Sequence, residues 1–488
     1  MNYRMILSLL GDVLLVIGAF LLLPCIVAVI YGEPELWVLL ATAAGSGLLG
    51  GLFILLRPKR RRELHARDGF VMVALSWILI SLVGAIPFTV SGAIPSYLDA
   101  VFETMSGFTT TGASILRAVE DLPKCLLFWR SFTHWLGGMG VLVFMLAIVP
   151  LSGESIYLLR AESPGPSVSK MVPKMRTSAA ILYAIYCAMT LLQILFYRLG
   201  VLFGWGEMTW FDSLCLSFGT AGTGGFSVRN SGLADYSAYL QAVTTVFMVL
   251  FGVNFSVYFF LLRRRFRLAW HNSEVRWYFI IIFGAIVLIS ANLLLTGGFF
   301  STVFQTIHHV AFSVGSVITT TGYGTADFAK WPEFSKTVLL ILMAIGACAG
   351  STGGGMKVSR VLILAKTARA ETRHLLHPHS VEVMTMDGKR VSSEVIRGTM
   401  AFFICYAAIA VVSILLVSLD NFGAETSVTS VFATLNNIGP GLAQVGPMMN
   451  FGSFTNPAKL VMIFDMLAGR LEIFPMLVLF LPDTWRRF

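Results

Sequence analysis

Thr319-Thr320-Thr321-Gly322-Tyr323-Gly324 lies between two long apolar segments and is too polar and too rich in glycine to belong to either. Backbone carbonyls of such a run can replace the hydration shell of a cation, and glycine permits the backbone angles that aim them inward. One hexapeptide of this kind is weak evidence, because an ordinary loop can carry it. The reading turns on whether the chain supplies three more walls of the same opening.

Three further stretches supply them. Thr109-Thr110-Thr111-Gly112-Ala113-Ser114 lies upstream, Gly222-Thr223-Gly224-Gly225-Phe226-Ser227 between, and Asn436-Asn437-Ile438-Gly439-Pro440-Gly441 downstream. Aligned on Gly112, Gly225, Gly322 and Gly439, they recur about every hundred residues in one hydropathy setting, which marks an internal repeat. The residues expected to line a K⁺ filter are Thr110, Thr111 and Gly112, then Thr223, Gly224 and Gly225, then Thr320, Thr321 and Gly322, then Asn437, Ile438 and Gly439. Rings of carboxylates suit less discriminating pores, so their absence favours carbonyl coordination of a monovalent ion. Only the third repeat continues Gly-Tyr-Gly. Four unlike walls predict a short coordinating length, with discrimination against Na⁺ that is real but less strict than in a symmetric filter.

The 488 residues are 56% hydrophobic and 12% charged, more apolar surface than any soluble domain needs. Six cysteines are scattered without a CxxC pair and read as small buried hydrophobes. The first apolar run is too long for a cleaved signal peptide. A bilayer takes about 20 apolar residues to span, and ten segments qualify, near 5–30, 35–56, 69–91, 125–150, 178–203, 238–262, 277–298, 335–364, 394–418 and 456–481. Shorter runs at 97–108, 209–221, 303–318 and 425–435 precede the four loops and read as re-entrant helices. Asp99, Asp212 and Glu425 fall near their starts, where the helix dipole favours acid.

Basic clusters follow every second span: Arg57 to Arg67, Arg160 to Arg176, Arg263 to Arg276, and Lys357 to Arg397. That recurrence places both termini in the cytoplasm and the four loops outside, and argues against nucleic-acid patches. The expected fold is an all-α polytopic membrane protein. A leading two-span hairpin (1–68) precedes four span–re-entrant pore helix–span repeats (69–152, 177–264, 275–365 and 393–483) around a pseudo-fourfold pore. The polar stretch 366–393 carries Arg373-His374, His377 and His379 without carboxylates at ligand spacing, and reads as a solvated loop.

Two features fall below the loops. Gly346, Gly350, Gly353, Gly354 and Gly355 interrupt the second span of the third repeat, at about 1 kcal/mol each against alanine in a helix. A break inside the membrane lines a cavity, which suggests a movable gate; close helix packing is the other reading. Arg470 places a charge inside the last span, either as a barrier to cations or in a pair with Glu472 or Asp465.

Together with His134-Trp135-Leu136-Gly137-Gly138-Met139-Gly140 and Ala468-Gly469-Arg470-Leu471-Glu472, the four loops make nearly the whole chain resemble the Trk/Ktr/HKT superfamily, in its TrkH/TrkG branch. The resemblance implies K⁺ as the transported ion, held at the four glycines, with Gly112 of the potassium type. It implies a gate at Gly346–Gly355, a permeation barrier at Arg470, a homodimer with one pore per protomer, and a cytosolic nucleotide-binding ring of the TrkA type. It also implies the bacterial inner membrane. No organic cofactor is expected in this chain, which carries no nucleotide-binding motif. Two other readings stand beside a gated pore. H⁺- or Na⁺-coupled symport would use His134, Asp465 or Glu472, none of them in a filter loop. A membrane enzyme would show HExxH, GxSxG or paired carboxylates within a span, and the sequence has none.

Overall fold

The computed structural model describes residues 3–56, 66–140, 175–379 and 383–485. The basic residues within 57–62, 160–174 and 486–487, and the second half of the fourth expected span (141–150), lie outside them. Apart from one two-stranded hairpin, Thr385–Met386 with Lys389–Arg390, the described elements are helical.

Among the described residues, six helices are long and apolar enough to cross a membrane: Tyr3–Tyr31, Leu36–Leu55, Arg67–Val90, Thr177–Leu202, Ser273–Thr296 and Ser393–Asp420. The first two form the leading hairpin. They turn at Gly32, left-handed at φ 68°, and meet through small residues. A Cβ on Gly11 would lie 2.7 Å from the Gly50 carbonyl oxygen, and Ser46 Oγ donates to the Leu14 carbonyl at 2.9 Å. Small residues at a crossing let backbones approach where lipid gives no hydrophobic drive.

Each repeat then supplies a short helix between two longer segments. These are Tyr97–Phe108, Trp210–Gly222, Val303–Ile318 and Ala424–Leu435, close to the expected re-entrant runs. Ser96, Thr209 and Thr302 cap the first three, accepting from the backbone N–H of Asp99, Asp212 and Gln305. Their starts are tied sideways to the neighbouring repeat. Lys459 of the fourth repeat pairs with Asp99 of the first at 2.7 Å, and Lys336 of the third with Glu425 of the fourth at 3.3 Å. His308 of the third meets Gln241 of the second at 2.8 Å. Between the first and second, Val119 N–H donates to Asn230 Oδ1 at 2.9 Å, so the repeats stand in a closed circle in chain order.

The second spans depart from expectation. Ten continuous spans were expected apart from one interruption in the third repeat. Instead the second span of every repeat begins as a helix of 13 to 15 residues: Lys124–Gly138, Ala238–Phe251, Glu333–Ile345 and Asn456–Arg470. None reaches the 20 or so residues a crossing needs. The sixth expected span turns by 91° at Gly252-Val253-Asn254 before Phe255–Leu262. The tenth breaks at Leu471-Glu472-Ile473, with Glu472 and Ile473 left-handed, before Phe474–Phe480. The cause is close packing under the circle. A Cβ on Gly137 would overlap the Phe108 carbonyl, and one on Gly469 the Leu435 carbonyl. These carbonyls close the first and fourth short helices, so the second spans press their glycines against the short helices' C-terminal ends.

Candidate functional site

The four loops follow one backbone pattern. Thr110, Thr223, Thr320 and Asn437 are left-handed, at φ 56°, 53°, 59° and 54°. Two residues later Gly112, Gly225, Gly322 and Gly439 are again left-handed, at 78°, 81°, 83° and 94°. A left-handed residue with a side chain costs about 1–2 kcal/mol. Four such costs at equivalent positions are sustained only where the surrounding structure enforces them.

The loops also meet in a ring. A Cβ on Gly112 would strike the carbonyl oxygen of Gly224, one on Gly225 that of Thr321, and one on Gly322 that of Ile438. A Cβ on Gly439 would lie 2.8 Å from the carbonyl oxygen of Thr111, which returns to the first repeat. Four glycines and four carbonyls thus alternate around a closed circle. The twelve residues singled out in the sequence all belong to this assembly. Above it opens a vestibule lined by Ser114, Arg130, Ser227, Tyr323, Pro440 and Phe451, among others.

Side chains behind the ring hold its shape. Thr109 Oγ1 meets Thr111 Oγ1 at 2.8 Å, and Thr319 Oγ1 meets Thr321 Oγ1 at 2.7 Å. Asn437 Nδ2 donates to Thr111 Oγ1 and to the Met466 carbonyl, both at 2.9 Å. Tyr323 points away from the ring and donates its hydroxyl to the Leu216 carbonyl at 3.1 Å. His134, outside the loops in sequence, supports the second one: its Nε2 accepts from the Phe226 N–H at 3.2 Å. Its Nδ1 faces the Gly107 carbonyl at 2.7 Å and must donate there, so both ring nitrogens are engaged.

The sequence reading missed one pair. Arg130 donates to Glu103 at 2.6 Å and to the Ser227 carbonyl at 3.0 Å, and lies 3.5 Å from the centre of the Phe226 ring. Glu103 also accepts from Ser114 Oγ and the Ile115 N–H, both at 2.9 Å. The pair joins the chain just after the first and second loops, with side chains 3% and 0% exposed. Removing one partner strands a buried charge, so Glu103→Ala is expected to lower stability by about 3–5 kcal/mol. Thermal unfolding of the purified protein in detergent tests this; an unchanged Tm rules out the bracing role.

Beneath the ring runs the irregular segment between Ile345 and Val358, left-handed at Gly346, Gly350, Gly355 and Lys357. A Cβ on Gly353 would lie 2.9 Å from the Thr319 carbonyl oxygen, and one on Gly354 would overlap that of Asn436. Gly354 N–H donates to Thr320 Oγ1 at 2.6 Å, and Lys357 Nζ to the Gly353 carbonyl. The segment lies directly against the underside of the loops.

Arg470 joins it to the rest. The guanidinium donates to the Thr352 carbonyl at 3.0 Å, Thr110 Oγ1 at 3.2 Å, the Gly138 carbonyl at 2.8 Å and the Gly137 carbonyl. Glu472, close by in sequence, pairs with Arg360, and Asp465 accepts from Ser413 Oγ at 2.7 Å.

Residues 39–486 match the TrkH family model, described as a cation transport protein. The chain belongs to the TrkH family. The Trk system potassium uptake protein TrkH of Escherichia coli K12 is 35% identical over 491 residues, covering 100% of both chains. TrkG of the same organism is 31% identical over 99% of each. The crystal structure of the potassium transporter TrkH from Vibrio parahaemolyticus superposes with a TM-score of 0.88 at 32% identity, covering 100% of both chains. With its apolar spans, this TrkH-family chain is a multi-pass membrane protein.

Proposed function

We propose that this chain carries K⁺ across the bacterial inner membrane through a gated, K⁺- and Rb⁺-selective pore. The observation that carries the reading is the closed ring of four carbonyls and four left-handed glycines. A rigid circle of carbonyl dipoles replaces water around a dehydrated cation without a fixed charge to trap it. The names of the relatives, potassium uptake proteins, support the choice of ion. Each repeat then reads as one wall of the pore, with K⁺ bound at Thr110–Gly112, Thr223–Gly225, Thr320–Gly322 and Asn437–Gly439. The segment Gly346–Gly355 and Arg470 act as the gate below. Both termini face the cytoplasm, two copies pair, and a TrkA-type nucleotide-binding ring regulates opening from that side.

At about 2.3 kcal/mol per charge per 100 mV, an inside-negative potential alone concentrates K⁺. Coupled symport remains a second reading for one reason. Asp465 is fully buried within the last span, and its Oδ2 has no hydrogen-bond partner among the described residues; an ionisable group so placed is where a coupling proton could be carried. His134 is a poor proton carrier, since both its nitrogens are engaged. Tracer uptake into liposomes decides. K⁺ and Rb⁺ are expected to enter down an imposed potential without a proton or sodium gradient, while Na⁺ and Li⁺ lag. Uptake that requires such a gradient would replace the pore by a symporter.

A further inference from the structure

The segment from Gly346 to Lys357 leaves and returns at nearly the same place, as Ω-loops do. Val358 N–H donates to the Ala347 carbonyl at 3.0 Å and Met356 N–H to the Ala344 carbonyl at 3.2 Å, which draws its neck together. One carboxylate completes the closure. Glu274, in the first turn of Ser273–Thr296 and buried, accepts at Oε1 from the Ala349 N–H at 2.6 Å and the Ser359 N–H at 3.1 Å. These donors flank residues 350–358, the part that lies under the ring and reaches Arg470 through Thr352. Neither donor has an easy alternative. Ala349 lies in irregular chain, and Ser359 lies in the first turn of Val358–Leu376, whose N–H groups have no acceptor within the helix.

The short hairpin ties the same two helices from the far side. Asp387, at its turn, accepts from the Ser273 N–H at 2.6 Å, and Lys366 of Val358–Leu376 donates to the Thr385 carbonyl at 2.7 Å. Hairpin, helix start and carboxylate form one connected path to the neck of the segment.

We propose that Glu274 is a positioning residue that staples the neck of the Gly-rich segment and so holds it across the ion path, with the hairpin at Asp387 keeping the staple in place. This rests on the reading of that segment as a gate. A single side-chain oxygen shared by two backbone donors is geometrically specific, and a carboxylate or an amide oxygen has the two lone pairs it needs. Moving the hairpin shifts the start of Ser273–Thr296 against Val358–Leu376, which pulls on both bonds together.

The test uses the full-length protein in liposomes, with Rb⁺ and Na⁺ tracer influx and no other protein present. Glu274→Ala leaves two buried N–H groups unpaired and is expected to raise basal Rb⁺ influx about tenfold. The Rb⁺/Na⁺ ratio should stay at its wild-type value, because the ring is untouched. Glu274→Gln keeps an acceptor oxygen and should remain within about twofold of wild type. Should Glu274→Ala not fold, Glu274→Asp, which withdraws the acceptor by one methylene, is expected to raise influx in the same direction. A folded Glu274→Ala with wild-type influx overturns the staple, as does raised influx with lost selectivity, which would report a damaged ring. Glu274→Gln as leaky as Glu274→Ala overturns it too, because an acceptor alone would not suffice. Wild-type liposomes with no selective influx would defeat the underlying function; selective wild type with an unchanged alanine variant defeats only this inference.

Discussion

Gly112→Ser is expected to cut the preference for K⁺ over Na⁺ about tenfold, and Gly439→Ser to cut it less. Two costs meet at Gly112. Its φ of 78° lies where a side chain costs about 1–2 kcal/mol. Its new Cβ also points into the carbonyl oxygen of Gly224, which must turn or retreat. That carbonyl is one of four in the ring. A weakening of about 1.4 kcal/mol in its coordination of the favoured ion is a factor of ten in selectivity. At Gly439 the oxygen met is 2.8 Å away, so a smaller shift suffices. Gly92→Ser separates strain from displacement: Gly92 has nearly the same φ, 77°, and a Cβ there would meet nothing within 4 Å. It should cost stability and leave selectivity alone. Reversal potentials under bi-ionic conditions measure all three variants. Equal selectivity in Gly112→Ser and wild type would remove the ring from the account of selectivity.

The ring was legible in the sequence because its chemistry is local. Threonines and asparagines followed by glycine mark the loops, and four copies with equal surroundings exclude coincidence. The short helices were legible for the same reason: each is an apolar run too short to cross, preceded in three cases by a Ser or Thr cap. The breaks in the second spans were not. A segment such as Ala238 to Leu262 reads as one apolar run by composition, and its 91° bend comes from where Gly252 meets the third repeat, beside the Thr319 side chain. Gly137-Gly138 and Gly469 were the available signal, but glycine inside a span also serves ordinary packing. The Glu103–Arg130 pair had a clearer signal that went unused. Each is an ionisable residue within an apolar run, and burying either alone is expensive enough to predict a partner. Which charges pair could not be read from spacing. Arg470 and Glu472 are close in sequence, yet the left-handed turn at Glu472 sends its carboxylate to Arg360.

Arg470→Ala is expected to raise cation flux about 30-fold. The guanidinium donates to three backbone carbonyls and the Thr110 hydroxyl, directly beneath the ring. On the pore reading proposed above, it brings positive charge next to the ion path below the ring. At roughly 8 Å from a passing ion and an effective dielectric constant near 20, such a charge opposes entry by about 2 kcal/mol, the source of that factor. Its removal also releases the Gly-rich segment, because the Thr352 carbonyl loses the donor that links it to Gly137 and Gly138 of the first repeat. The two contributions part in other variants. Arg470→Lys keeps the charge but cannot reach four acceptors with a fork geometry, so flux should rise little if charge dominates and markedly if the link does. Shortening the segment within Gly346–Gly355 leaves the charge and, if the segment is the gate proposed above, should also raise flux. Tracer influx into liposomes ranks the three. If Arg470→Ala folds and conducts no faster than wild type, the cation is a structural clamp and the barrier lies in the Gly-rich segment alone.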